Sequence, residues 1–314
     1  MSGRFSIYPF TSTGLTLRQL DSFNYASNEK KAEIIPGGAV DRLHIATGYA
    51  EPTFNLTTRD LLAAFGVLSP ASGLRTTNAI AYAQRRADAS TFNASAVHRS
   101  YTMAKLDIIP RTLVASQNDT DGAVLTVDIH ALFDGTNEPV ALAENVDLSA
   151  ASIPPHFNSR YFLGPVFYGP TASKVLLTNI ERVEIDFGLN YSKKGFNGSA
   201  FPTEGSIITR EPIIKVTSTN LAQERLKNII SRGCEDDGSS GLRIYFQRGA
   251  GCDDRVAAAT AEHIRFAAPY YEWTTESISL QGNEDGTVTY TYRPRGTSIS
   301  NAAMTVTLGV AITD

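Results

Sequence analysis

Five histidines, His44, His98, His130, His156 and His263, are the side chains of this 314-residue chain best suited to moving a proton or holding a metal. No two lie at the His-x-x-x-His spacing of a helical metal pair, and His98 and His263, which fall at matched positions of a repeat, lack the duplicated partners that a catalytic or metal role would want. We read them as structural or interface residues. The run Asn118-Asp-Thr-Asp-Gly122 starts like a calcium loop, but the third acidic position and the closing Glu are missing, so it reads as a turn, as does Asn283-Glu-Asp-Gly286. Cys234 and Cys252 are the only cysteines, and two thiols without nearby histidines fall short of the four ligands zinc takes. They flank a predicted strand, Gly241–Arg248. A bridge would close that hairpin; we read two reduced thiols. The adjacent acids Asp253-Asp254 and Glu235-Asp236-Asp237 lie in glycine-bearing sequence and read as solvated turns. The chain has no Gly-x-Ser-x-Gly elbow, no Walker A loop and no Gly-x-Gly-x-x-Gly fingerprint. The expectation is no catalytic, cofactor-binding or metal residue, and no enzyme.

The elements carrying these residues occur twice. Pro52-Thr-Phe-Asn-Leu-Thr-Thr-Arg-Asp-Leu61 matches Pro212-Ile-Ile-Lys-Val-Thr-Ser-Thr-Asn-Leu221 in its proline, extended stretch, hydroxyl pair and leucine, 160 positions on. In the same order Tyr82–Arg85 meets Tyr245–Arg248, His98 meets His263, and Asp121-Gly122 meets Asp285-Gly286. Upstream, Asp21 is set against Asp186 and Asn24-Tyr25 against Asn190-Tyr191. A period near 160 is too long for a solenoid unit and suits a duplicated domain.

Length agrees, since 314 residues allow two domains with a core each. The net charge of −4 has no basic half to offset it, which argues against gripping nucleic-acid phosphates. Met1–Ser6 has no apolar h-region and no apolar run approaches a bilayer span, so we expect a soluble protein made in a cytoplasm.

Alternation marks the strands: Val288, Tyr290 and Tyr292 against threonines, Leu125, Val127 and Ile129 against Thr126, Asp128 and His130, and Met304 to Ile312 on every second residue. Asp121-Gly122 and Asp285-Gly286 predict a β-hairpin each. One helix is expected in each half, the first capped by Thr57 or Thr58 and presenting Leu61, Leu62, Phe65 and Leu68, the second capped by Ser218 or Thr219, with Gly66 and Gly233 as stops. The fold class expected is mainly β with minor α: two tandem β-sandwich or barrel domains, 1–150 and 173–314, each with a flanking helix, joined by an extended surface connection over 151–172. Residues 192–206 and 26–44 read as long polar loops, the first without a close counterpart, and such loops are usually functional or ordered by a partner.

Two helix-bearing β domains, long polar hairpins and no catalytic constellation resemble the major tail tube proteins of long-tailed bacteriophages. The resemblance is carried by Val183-Glu-Ile-Asp-Phe-Gly-Leu-Asn-Tyr191, Ile207–Val216 and the helix expected at 219–231, echoed by Asp21 to Tyr25, Leu43–Thr47 and Pro52 to Leu56. It is one of pattern over nearly the whole chain. It implies self-association into rings that stack head to tail. In the variety with two fused tube domains, three chains make a homotrimeric, pseudo-sixfold ring. It also implies a virion location in the phage tail, passage of double-stranded DNA through the lumen without specific binding, and contacts with tape measure, tail terminator and baseplate proteins. Deleting 192–206 is then expected to abolish tubes but leave folded rings or monomers. Rival readings are an adaptor, decoration or baseplate hub subunit, and a carbohydrate-binding β-protein using Tyr270, Tyr271 and Trp273 as a sugar platform, which we read instead as packing.

Overall fold

Alternating apolar and hydroxylated residues form strands because successive side chains point to opposite faces of a sheet. The computed structural model describes residues 5–34, 44–85, 97–118, 120–148, 160–169, 174–196, 198–220, 234–235, 241–250, 254–279, 286–296 and 301–312. Over these the chain is mainly β with minor α. The first half runs β1 (Phe5–Ser12), β2 (Leu15–Leu17), β3 (Leu20–Ala26), β4 (Glu29–Ile34), β5 (His44–Ala50), β6 (Thr53–Thr58), α1 (Leu61–Phe65), β7 (Leu74–Arg85), β8 (His98–Ser116), β9 (Val124–Leu132) and β10 (Ala141–Val146). The second runs β11 (Tyr161–Tyr168), β12 (Val175–Leu177), β13 (Ile180–Asp186), β14 (Leu189–Lys194), β15 (Glu204–Arg210), β16 (Ile213–Ser218), β17 (Cys234–Glu235), β18 (Leu242–Arg248), β19 (His263–Ala268), β20 (Tyr271–Ser279), β21 (Thr287–Pro294) and β22 (Thr305–Val310).

The pairing scheme of the first half recurs in the second. β3–β6–β9–β8 corresponds to β13–β16–β21–β20, and β2–β1–β7–β8–β10 to β12–β11–β18–β19–β22, all antiparallel. The irregularities recur with it. A bulge falls between Pro110 and Thr112 in β8 and between Thr275 and Ser277 in β20. The hairpins β4–β5 and β14–β15 share one register, Glu29↔Ala50 with Leu189↔Arg210, and each breaks after its second residue, at Lys30/Lys31 and Asn190/Tyr191.

The spacing set by the two prolines therefore runs unbroken upstream: Leu20↔Thr58 matches Ile180↔Ser218, both strands shifted by 160 (20 to 180, 58 to 218). The upstream anchors Asp21/Asp186 and Asn24-Tyr25/Asn190-Tyr191 are thus out of register by five or six residues. Residues 192–206, expected to lack a close counterpart, correspond in their paired parts to the 32–46 hairpin.

In the first half β8 is continuous and passes between two layers, whereas its counterpart is split into β19 and β20 by Pro269 and Tyr270. Proline has no N–H for the ladder, so the break falls where the chain changes layers. One layer is an eight-stranded sheet, β20–β21–β16–β13–β8–β9–β6–β3, continuous through both halves because β13 pairs with β8, Asp186↔Thr112 through Arg182↔Ser116. Each half adds a second layer, and the buried residues of both layers form one cluster, including Phe10, Leu56, Met103, Val127, Ile185, Val216, Ile244 and Tyr290.

Thr58 ends β6 as Ser218 ends β16. Each hydroxyl donates to a backbone carbonyl, of Gln19 or Thr178, and accepts the N–H two residues on, of Asp60 or Asn220. The hydroxyls thus close strands, and α1 is capped by Asp60, whose carboxylate accepts from the Ala63 N–H, and not by Thr57 or Thr58. α1 ends at Phe65 against Gly66, with Leu61, Phe65 and the following Leu68 buried. Phe65 meets Phe187 (5.9 Å between ring centroids) and Phe266 (5.0 Å), both from the second half. The helix expected at 219–231 lies almost wholly outside the described residues.

Two further expectations change. Tyr161–Tyr168, placed in the 151–172 connection, is strand β11, with Tyr161, Leu163, Val166 and Phe167 buried. The Asp121-Gly122 hairpin exists as β8–β9, but Val114↔Val124 is its last pair, so its loop is longer than a two-residue turn. Gly122 has φ +84°, and a Cβ there would lie 2.8 Å from the Tyr161 carbonyl oxygen.

Candidate functional site at the junction of the halves

Leu106, Ile108, Val127 and Ile129 face the core, so alternation turns Lys105, Asp107, Asp128 and His130 to the other face of β8–β9. A polar sheet face can be solvated or covered. Here the β14–β15 hairpin of the second half lies over it. Asp107, only 4% exposed, accepts from Arg75 Nε (2.7 Å), Arg75 Nη2 (2.8 Å) and the Tyr191 hydroxyl (2.6 Å). Arg75 Nη2 also donates to the Gly205 carbonyl, and Arg111 bridges Asp128 Oδ2 (2.5 Å) and the Leu189 carbonyl (2.7 Å). Tyr191 passes so close to Gly205 that a Cβ there would overlap the Tyr191 hydroxyl oxygen.

The His130 imidazole stacks on the Tyr191 ring, centroids 4.3 Å apart and planes within 13°. Neither His130 ring nitrogen has a hydrogen-bond partner, and burial holds the imidazole well below its usual pKa, at about 4. Burial, then the Asp107 carboxylate, pushes the Tyr191 hydroxyl up, while Asp107 pushes Arg75 further up. The hydroxyl and the guanidinium therefore hold their protons near neutral pH, and His130 stays neutral.

The hairpin tip is anchored separately. Burial pushes Glu51 up, but hydrogen bonds from Lys193 and Lys30 outweigh it and hold its carboxyl low. Lys193 Nζ lies 3.0 Å from Glu51 Oε2 and Lys30 Nζ 3.1 Å from Oε1. Ala50 N donates to Ala200 O, Phe133 N to Pro202 O and Lys105 Nζ to Thr203 O. The donors Arg75, Lys105, Arg111, Tyr191 and Lys193 each meet an acceptor of the same chain, so the arrangement works as a joint between the halves.

The other candidates are dispersed. His98 opens β8 and His263 opens β19; both are buried. His263 Nδ1 accepts from Arg248 N (3.2 Å) and Nε2 meets the Ala257 carbonyl (3.0 Å), a structural role. His44 opens β5, and His156 lies outside the described residues. Asp121 stands 4.0 Å from Arg59, which also holds Asp21 and donates to the Gly122 carbonyl, as suits a turn. Among the described residues no group of three or more His, Cys, Asp or Glu side chains could hold a metal, and no helix is long and apolar enough to cross a membrane. Cys234 is on β17 and Cys252 lies outside the described residues. Tyr271 is fully buried, against Tyr292, and Trp273 packs half-buried on the core. The Arg75–Asp107–Tyr191–His130 group was missed by sequence reasoning. Only the polar alternation of Asp128 and His130 in an otherwise apolar strand hinted at a covered face.

No protein-family model matches the chain, and no curated protein matches it.

Proposed function

We propose that this chain is a structural subunit of a tail tube in a long-tailed bacteriophage, assembling into stacked rings that conduct double-stranded DNA. The observation that carries the reading is the recurrence of one pairing scheme, bulges included, in two halves that share an eight-stranded sheet. A chain holding two equivalent units already joined head to tail contains one copy of the contact a ring needs, and repeating that contact by rotation closes it. Three chains then make a pseudo-sixfold homotrimer. Its partners along the tail would be the tape measure, tail terminator and baseplate proteins. A net charge of −4 with no basic half suits a lumen through which DNA slides without being held.

The test is negative-stain imaging of the purified chain together with its mass in solution. Closed rings at three times the chain mass, or long striated tubes, are the expected result. Rings that never stack would favour an adaptor or hub subunit, and a monomer at high concentration would remove the ring reading altogether.

A further inference from the structure

Among the described residues the contact that joins the halves is used once, although its two parts are present twice. One part is the edge of β13, which pairs with β8 through Asp186↔Thr112, Ile185↔Leu113 and Glu184↔Val114. The counterpart of β13 is β3, placing Ala26, Tyr25 and Asn24 at those three positions. The counterpart of this stretch of β8 is β20, placing Ser277, Ile278 and Ser279 there. Among the described residues β3 pairs with β6 alone, and the β20 edge from Thr274 to Ser279 has no ladder partner, β17 reaching only Tyr271 and Glu272.

We infer that β3 of one copy pairs antiparallel with β20 of a second copy, in the register Ala26↔Ser277, Tyr25↔Ile278 and Asn24↔Ser279. Burial supports this. Val183 and Ile185 are 0% exposed inside the joint, whereas Tyr25, the counterpart of Ile185, is 46% exposed. Tyr25 and the half-buried Phe23 form an aromatic patch with Phe54 and Tyr101, with centroids 4.8 to 6.2 Å apart, at an unpaired sheet edge. An open edge with exposed aromatics is a template for another strand.

The hairpins extend the match. β14–β15 covers the first half of its own chain, and β4–β5, equal to it in register, would cover the second half of the neighbour. At the position of Tyr191 stands Lys31, and at that of Asp107 stands Glu272, so the hydrogen bond from Tyr191 to Asp107 has no identical counterpart between copies. The position of Arg111 is taken by Glu276, so its bond to the hairpin has no equivalent there. Closure into a ring rests on the function proposed above; the pairing itself does not.

The test uses the full chain with Cys234→Ser and Cys252→Ser. Neighbouring residues in an antiparallel pair lie about 4.5 to 5.5 Å apart at Cα, within disulfide reach. Asn24 and Ser279 are both exposed. A chain carrying Asn24→Cys mixed with one carrying Ser279→Cys is expected to give a disulfide-linked dimer on mild oxidation, and the double variant a ladder. Dimers from Asn24→Cys alone would mean that two β3 edges meet each other, and would overturn the pairing. Tyr25→Asp is expected to weaken self-association at least about tenfold while the monomer stays folded by circular dichroism; undiminished assembly overturns the inference. Linked rings that never stack would sink the tube and leave this pairing standing. Tubes without the link would do the reverse.

Discussion

His130 is where a single side chain makes the joint sensitive to its surroundings. Burial is the main cause of its low pKa, with Lys193 and Arg111 acting in the same direction and Asp128 and Asp107 against it. An unfolded imidazole titrates near 6.5, so between about 6.5 and about 4 the unfolded chain binds a proton that the folded chain refuses. The neutral, stacked histidine therefore contributes fully above pH 6.5, and its contribution is lost as the pH falls toward 4, by up to about 3 kcal/mol. Urea unfolding at pH 7 and pH 4.5 checks this. His130→Phe keeps a ring on Tyr191 and removes the titration, so the loss between the two pH values should shrink by about 2 kcal/mol. An unchanged loss would place the acid sensitivity elsewhere.

At the level of elements, the β14–β15 hairpin acts twice: its base carries Tyr191 to Asp107, and its tip carries Ala200, Pro202 and Thr203 to the first half. Replacing residues 195–203 by a short Asn-Gly turn should leave the Tyr191 contacts and the fold intact but release the 133–140 segment, lowering stability by about 2 to 4 kcal/mol, about 1 kcal/mol for each lost bond. Thermal unfolding and limited proteolysis report both effects, and unchanged protection of that segment would show that the tip carries no load within the chain. The tip was legible only as a long polar stretch. Strands were legible wherever one face is buried: Leu125, Val127, Ile129, Val288, Tyr290 and Tyr292 all lie in the core as their alternation requires. Matching by residue identity failed upstream because Tyr25 corresponds to Ile185 and Lys31 to Tyr191; pairing is specified by backbone register and face, and tolerates exchange of the side chain. The β8–β13 joint had no signature at all. It is a non-local ladder of main-chain bonds, and Asp107 and Tyr191 lie 84 residues apart. The cap of α1 was misplaced because Thr58 and Asp60 both suit a helix start, and only the fold shows that the threonine is spent on ending β6.

For the whole molecule, one buried cluster runs through both halves, and Phe65 of the first packs on Phe187 and Phe266 of the second. Two equivalent units would unfold separately if each had a closed core. Here we expect one calorimetric transition, with a van't Hoff enthalpy close to the calorimetric one; two resolved transitions would show that the shared sheet does not couple them. The eight-stranded sheet has a further consequence for size. Strands lie about 4.8 Å apart, so three copies joined edge to edge, on the order of 24 strands, measure about 115 Å around. That circumference corresponds to a backbone cylinder about 37 Å across with upright strands, and about 48 Å across at a tilt near 40°. The number of strands between β20 and β3 would thus act as a gauge. In such a closed ring it would set a bore wider than side chains alone can plug, and inserting or deleting one strand pair per half would change that calibre without altering any contact along the wall.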